Sequence, residues 1–368
     1  MKTLLHILAG MDRGGCEGNA ICLIEAAPEV SHHVLVLGGA GTMSEEFAKA
    51  VVSIRHDEVL GRGARRLVGS VARAMEETKA EGVIVWHGMV ALPEILHALR
   101  DFRGSILVHG GNPAHSMRRS VDLRHWLREQ WLGRRAAATY VCCSRHVADS
   151  FESSFYLRRF RRIVIPNGTH LRTPVAIDAP ADRSDSGLVV GMTARLDRIK
   201  DHATLLRSFA LVLADLPNAR LELAGEGELR GELEDLAGEL GILGRVRFLG
   251  TVPDVAAVLR RWDLFVYTTT DREGFGNALI EAMMSGLPCL ATDTGPIREV
   301  VGRLAVDSLV PPGDATFLAG RIVSLLGDGE ARARLAAAGR QRAEETFSQE
   351  AFAKAYLNEL HLEGEVRP

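Results

Sequence analysis

The 368-residue sequence has no apolar run long enough to cross a bilayer as a helix, so a membrane-spanning protein is not expected. It has no C-x-x-C pair. Its five cysteines, Cys16, Cys22, Cys142, Cys143 and Cys289, are odd in number and lie in apolar segments, which argues against a zinc or disulfide framework and for reduced core thiols in a cytoplasmic protein. No D-x-D metal motif occurs, and no nucleic-acid-binding motif accompanies the basic stretches, so neither a metal ion nor a nucleic-acid partner is expected. The 37 glycines follow no short period, which excludes a collagen-like chain. The opening "MKTLLHILAG" has only a short apolar run, carries His6 and leads into "MDRGGCEG" rather than a small-residue cleavage site. It reads as a first β-strand and not as a signal sequence.

What is present is enough chain for two domains. The net charge of −3 hides an asymmetry: residues 1–168 hold 22 Lys+Arg against 17 Asp+Glu, and the remainder 22 against 30, so the halves present different surfaces. Continuous apolar runs recur in the first part as "TLLHILA", "HVLVLGG", "GVIVWHG", "SILVHGG", "TYVCCS" and "RIVIPNG". The second part repeats them as "LVVGMTA", "ARLELAG", "RVRFLG", "DLFVYT" and "PCLATD". Runs without alternation suit strands covered on both faces of a parallel sheet, and the helical patterns between them suit βαβ crossovers. "THLRTPVAIDAPADRSDSG", residues 169–187, is rich in Pro, Ala, Asp and Ser and reads as a linker. The expected fold is α/β, with two Rossmann-like, doubly wound domains at 1–168 and 188–347 facing across a cleft. A final helix at 348–368 is capped by Ser348. Ligands of such sheets sit at the carboxyl ends of the strands.

The segment "DREGFGNALIEAMMSGLPCLATDTG" concentrates the chemistry. With Asn277 as N-cap, the following helix reads as apolar all round except for Glu281, which falls at N4, one residue too far for a capping box. A carboxylate there needs a partner, either a structural salt bridge or the vicinal hydroxyls of a ribose. Gly274, Phe275, Gly276 and Asn277 form a turn into the helix. The glycines permit close approach of a ligand, and the first amides of the helix offer an anion site suited to a diphosphate. Glu273, preceding the turn, would face a group attached to that diphosphate. "RLDRIK" places Arg195 and Lys200 at a strand-to-helix junction, where two cations can neutralise a leaving diphosphate, although such a loop is also a common solvated surface. Gly225 and Glu226, in "GEGE", either approach the base or ribose or form a plain turn.

"RLDRIKDHATLL", "LAGEGELRGELEDLAGELGILGRVRFLGTVPDV" and "EGFGNALIEAMMSGLPCLATDTG" resemble the second domain of the family 4 retaining glycosyltransferases of the GT-B fold, and "IPNG" at 165–168 matches as well. The resemblance covers most of residues 160–345 and carries several motifs in order. It departs at "TGPIRE", where many relatives have a glycine at the position of Pro296. It implies that the last helix crosses back to the first domain and that "GGCE" is the family's glycine-rich loop, in which Gly14 and Gly15 touch the diphosphate ahead of Glu17. It also implies that His109, ending "SILVHGG", contacts the donor sugar near the reacting carbon. His115 is the rival position, and His87 ends a neighbouring strand.

"MRRSVDLRHWLREQWLGRR", residues 117–135, has six arginines against two acids. Arg118, Arg119, Arg124 and Arg128 either form a solvated face, hold an anionic acceptor, or rest on an anionic membrane surface at the inner face of the membrane. The reading these features imply is a hexosyltransferase that moves a sugar from a nucleotide-sugar donor to a hydroxyl of a glycan, lipid-linked or small-molecule acceptor with retention, and without metal or other cofactor. The family's general habit favours a UDP-sugar, with a GDP-sugar open. Two other classes share the bilobal pattern: a non-hydrolysing nucleotide-sugar 2-epimerase and a non-catalytic sugar-binding protein.

Overall fold

The computed structural model of the chain describes residues 2–12, 14–86, 91–114, 119–169 and 187–361. It divides into two compact units, Met1–His170 with Ser348–Pro368, and Leu171–Phe347. The first unit is built on seven parallel strands, β1 (Thr3–Leu8), β2 (Ser31–Val36), β3 (Ser53–His56), β4 (Gly82–Val85), β5 (Ser105–Gly110), β6 (Thr139–Cys142) and β7 (Arg161–Val164). They are ordered β3-β2-β1-β4-β5-β6-β7. The second has six parallel strands, β8 (Val189–Thr193), β9 (Arg220–Ala224), β10 (Val246–Gly250), β11 (Leu264–Tyr267), β12 (Cys289–Thr292) and β13 (Leu309–Val310), ordered β10-β9-β8-β11-β12-β13.

Both orders reverse direction once, at β1/β4 and at β8/β11. These are the switch points where a doubly wound sheet opens a crevice at its strand ends. The central strands are those with unbroken apolar runs: Val83, Ile84 and Val85 are fully covered, as are Leu264, Phe265 and Val266. Sequence reading finds six strands and five, whereas the structure has seven and six. The two it misses are edges. β3 reads Ser-Ile-Arg-His with both ends exposed, and β13 is two residues long, so neither carries the apolar run that burial on two faces imposes.

The C-terminal helix, Gln349–Glu359, belongs to the first unit. Ser348 caps it, its hydroxyl accepting from the Ala351 amide at 3.2 Å. Phe352, Tyr356 and Leu357 enter the core beside Ile21 and Cys22 of the helix Gly15–Ala26, and each such side chain contributes about 1.5–3 kcal/mol by burial. Gln349 Nε2 donates to the Cys22 carbonyl at 2.8 Å, which fixes the register of the two helices. Only Thr169 and Gly187 of the expected 169–187 linker fall among the described residues. The five cysteines are free thiols, four of them buried. No helix among the described residues is long and apolar enough to cross a membrane.

Candidate functional site

In the second unit the switch point carries the charged constellation. The loop after β8 runs from Ala194 to Lys200, and the loop after β11 runs from Thr268 to Gly276. The two are stitched by an antiparallel bridge between Lys200 and Thr269, with the Thr270 amide donating to Ile199 O at 2.9 Å. Asp197 shapes the first loop by accepting from the Ile199 amide at 2.9 Å and the Lys200 amide at 3.3 Å. Lys200 Nζ thereby reaches the Glu273 carboxylate in a close ion pair and donates to the Tyr267 hydroxyl at 2.5 Å. Both charged side chains are 11% exposed.

Glu273 is satisfied on both oxygens. Oε2 also accepts from Tyr267 at 2.9 Å and from Thr269 at 3.2 Å, and Oε1 accepts from the Gly274 and Phe275 amides at 3.1 and 3.4 Å. Burial by itself would raise its pKa, but the Lys200 charge and these donors hold the carboxyl below its ordinary value. Burial, then the Glu273 charge, push the Tyr267 phenol well above its own. Lys200, expected to neutralise a leaving diphosphate, is here paired with Glu273. Arg195 differs: it is 76% exposed and pairs with Asp197 at 2.8 Å.

The helix after the turn spans Asn277–Met284, and its N-cap is Gly276, not Asn277, so Glu281 sits at N5. Gly276 has φ of 104°, and a Cβ there would stand 2.9 Å from Ile297 Cδ1, so only glycine fits. Nor is the helix packed all round. Leu279, Ile280, Ala282, Met283 and Met284 are buried, while Asn277, Ala278 and Glu281 form a half-buried strip along one face. Glu281 lies on this strip, so its carboxylate keeps contact with water. Pro296, at the departure from the family pattern, is the second residue of the helix Gly295–Val301, a position proline suits because the first amides of a helix have no partner within it.

Gly225 has φ of 144°, and a Cβ on it would lie 1.9 Å from the Ala194 carbonyl oxygen. Its amide donates to Gly250 O at 2.8 Å. Close packing of the β8 and β9 loops thus accounts for this glycine, and Glu226 is engaged by Arg230 one turn on. The plain turn is the reading these contacts favour.

In the first unit, Gly14 caps the helix Gly15–Ala26 at the end of β1. A Cβ on Gly14 would come within 2.7 Å of the buried Glu17 carboxylate. His109, near the end of β5, is 2% exposed, and its Nδ1 is 2.8 Å from the hydroxyl of Tyr356 on the C-terminal helix. Trp86 stacks on Tyr356 with ring centroids 5.6 Å apart and lies 5.4 Å from His109. His87, His115 and Arg118 fall outside the described residues, and Arg119 is described only as the start of a helix. Sequence reading missed Tyr267, Thr269, Trp86 and Tyr356. A rule that inspects the last residue of each switch-point strand and the one after it would have found Tyr267 at the end of β11 and Trp86 just past β4, whereas Thr269 lies in the loop beyond. Tyr356 carries no such signal.

Behind Trp86 the hydrogen bonds have one consistent direction. An indole N–H can only donate, so Trp86 donates to His6 Nδ1 at 3.0 Å. His6 Nε2 then donates to His32 Nδ1 at 2.9 Å, and His32 Nε2 to Ala27 O at 2.9 Å. Both imidazoles are neutral in this chain. Burial, then the neighbouring His32, hold His6 well below its ordinary value. Burial lowers His32 from 6.5 to about 4 against the raising effect of the Ala27 carbonyl. The unfolded chain binds protons in the window between about 6.5 and 4 that the fold refuses, so stability is present above it and falls as the pH drops through it. The loss from His32 alone should be on the order of 3 kcal/mol by pH 4. A urea midpoint that stayed flat between pH 7 and 5 would contradict this.

The arginine-rich stretch forms the helix Arg119–Leu132, and its polarity is inverted. Asp122, His125 and Glu129 point into the unit, whereas Leu123, Trp126, Leu127 and Trp131 are exposed beside Arg124 and Arg128. Of the three readings open for this stretch, a purely charged solvated face is the one this apolar stripe does not fit.

The profile described as "Glycosyl transferases group 1" matches residues 177–342. The chain is 32% identical over 320 residues to the putative glycosyltransferase EpsF of Bacillus subtilis, covering 80% of this chain and 79% of that one. It is 34% identical over 225 residues to the lipopolysaccharide core biosynthesis glycosyltransferase LpsE of Rhizobium meliloti, covering 60% of this chain and 63% of LpsE, a little under two thirds of that protein. Among solved structures, Anabaena HepE in complex with UDP-glucose superposes with a TM-score of 0.80 at 21% identity, over 98% of this chain and 100% of that one. The fold is GT-B, and the chain belongs to the group 1 glycosyltransferases. Neither an epimerase nor a plain binding protein is favoured by these matches.

Proposed function

We propose that the protein is a retaining hexosyltransferase that takes a sugar from a nucleoside-diphosphate donor, a UDP-sugar before a GDP-sugar, and delivers it to an acceptor hydroxyl without a metal ion. The observation that carries this reading is the Lys200–Tyr267–Glu273 cluster at the β8/β11 switch point, directly beside the turn that opens the Asn277–Met284 helix. Glu273 accepts from the Gly274 and Phe275 amides and so shapes the turn ahead of the helix. The amides of the helix start are the anion site, and Glu281, on the open strip, takes the ribose hydroxyls. Arg195 and Lys200 turn from their carboxylate partners toward the diphosphate as it binds, supplying the fixed positive charge a divalent ion supplies elsewhere. The UDP-glucose held by HepE supports a uridine donor, and the naming of LpsE in lipopolysaccharide core assembly supports a glycan or lipid-linked acceptor.

In the reaction the bond from the anomeric carbon to the β-phosphate oxygen breaks and a bond to the acceptor oxygen forms on the same face. The acceptor proton passes to the departing phosphate, and no covalent enzyme intermediate is required. Incubation with a panel of nucleotide sugars and acceptors in excess EDTA, with the product's anomeric coupling read by NMR, tests this. Transfer with retention is expected. Glu281→Ala should weaken free UDP binding roughly tenfold, the worth of one or two hydrogen bonds, while Glu273→Ala impairs the sugar-bearing donor more than free UDP. An inverted product, or activity abolished by chelation and restored by magnesium, would overturn the proposal.

A further inference from the structure

The helix Arg119–Leu132 is held to its unit by its polar side. Asp122 accepts from Ser154 Oγ at 2.7 Å, Glu129 pairs with Arg159 at 2.9 Å and Arg135 at 3.1 Å, and His125 packs against the Tyr156 ring. Arg128 pairs with buried Glu94 yet leaves half of itself in solvent. The other face presents Leu123, Leu127 and Trp131 at successive turns, the last 74% exposed, with Trp126 beside them. Leu123, Leu127 and Trp131, together with Ser120, Arg124 and Arg128, line a shallow groove. An isolated exposed leucine needs no explanation, but a four-residue apolar stripe on one helix does.

We propose that this face seats the protein on an anionic lipid surface, with the helix lying in the plane of the interface. Charge selects that occupant. Both acids of the helix point inward, so the charge its outer face carries is arginine, set among leucine and tryptophan with Ser120 and Gln130. Arginine matches lipid phosphate, and tryptophan suits the boundary between headgroup and acyl chain. A second copy of the chain is a poor match, because a two-fold contact places a patch against itself and would set Arg124 and Arg128 of both copies together. The 14-residue helix is about 21 Å long at 1.5 Å per residue, too short to span a bilayer core of about 30 Å. It therefore lies on the membrane as an amphipathic element.

The chain carries its own reporter. Of its four tryptophans, Trp86 and Trp262 are buried, so solvent-exposed indole fluorescence comes from Trp126 and Trp131. The full-length protein, mixed with phosphatidylcholine vesicles holding increasing phosphatidylglycerol, should co-float with them at low salt and shift its emission to the blue. Binding should weaken as salt rises, because exposed charges are screened over about 10 Å at 0.1 M. Leu127→Ser with Trp131→Ser should cut the vesicle partition at least tenfold while leaving the far-UV spectrum and melting temperature unchanged, and Arg124→Glu should cut it at low salt only. Absence of binding to anionic vesicles at low salt would overturn the proposal. So would undiminished binding by the Leu127/Trp131 variant, or a concentration-dependent dimer that the same substitutions dissolve, which would make the occupant a second copy.

Discussion

Lys200→Met should unfold about 3–5 kcal/mol more easily than the parent chain, the usual cost of stranding one partner of a buried ion pair, and should lose transfer at least ~100-fold. The two losses have different origins. Lys200 and Glu273 are the charged members of a cluster closed by Tyr267 and Thr269, so removing the ammonium leaves a carboxylate among hydroxyls with no counter-charge. Adding Glu273→Gln to Lys200→Met removes that stranded charge and keeps an amide oxygen for Tyr267. The double variant should recover most of the stability and none of the activity. Chemical denaturation beside a transfer assay decides the matter. If the double variant regained turnover with its stability, Lys200 would be a structural cation only.

That cluster also marks where sequence reading ends. Lys200 and Glu273 stand out singly, one in a basic loop and one before a glycine-rich turn, yet nothing local says that they meet across 73 residues. Their pairing follows from strand order: β8 and β11 are neighbours only because the sheet reverses there. The strands are legible where they carry an apolar run, as at Val83–Val85 and even in the edge strands β7 and β10, and illegible in β3 and β13, one polar and the other only two residues long. Gly276 shows a subtler limit. A glycine before a helix invites reading the next polar residue as its cap, and the positive φ of Gly276, absent from the sequence, places the helix start one residue earlier. The helix Arg119–Leu132 stays open to several readings for a different reason: a charge count does not say which residues share a side, and here Asp122, His125 and Glu129 share the buried one.

His109→Ala should lower kcat by about 100-fold or more, within the range of a lost positioned acid–base or polar group, with donor KM nearly unchanged. Such a split is expected if the imidazole serves the sugar only while the glycosidic bond is breaking and the ring carries positive charge, because an interaction made in the transition state alone appears in kcat. Tyr356 fixes how that imidazole is presented. Its hydroxyl lies 2.8 Å from His109 Nδ1, which orients the ring, and Nε2 lies on the side of Gly111, where a Cβ on that glycine would stand 3.7 Å from it. Tyr356→Phe keeps the stacking on Trp86 and removes only the hydroxyl. It should therefore cost kcat roughly 5- to 10-fold, the worth of about one hydrogen bond, leave donor KM alone, and alter the pH dependence of kcat. A purely structural Tyr356 would instead change melting temperature with no effect on the pH profile. His115→Ala is the comparison that fixes the histidine: an inactive His115 variant beside an active His109 variant would move the assignment six residues along the chain, and a His109→Ala effect confined to KM would remove the transition-state role altogether.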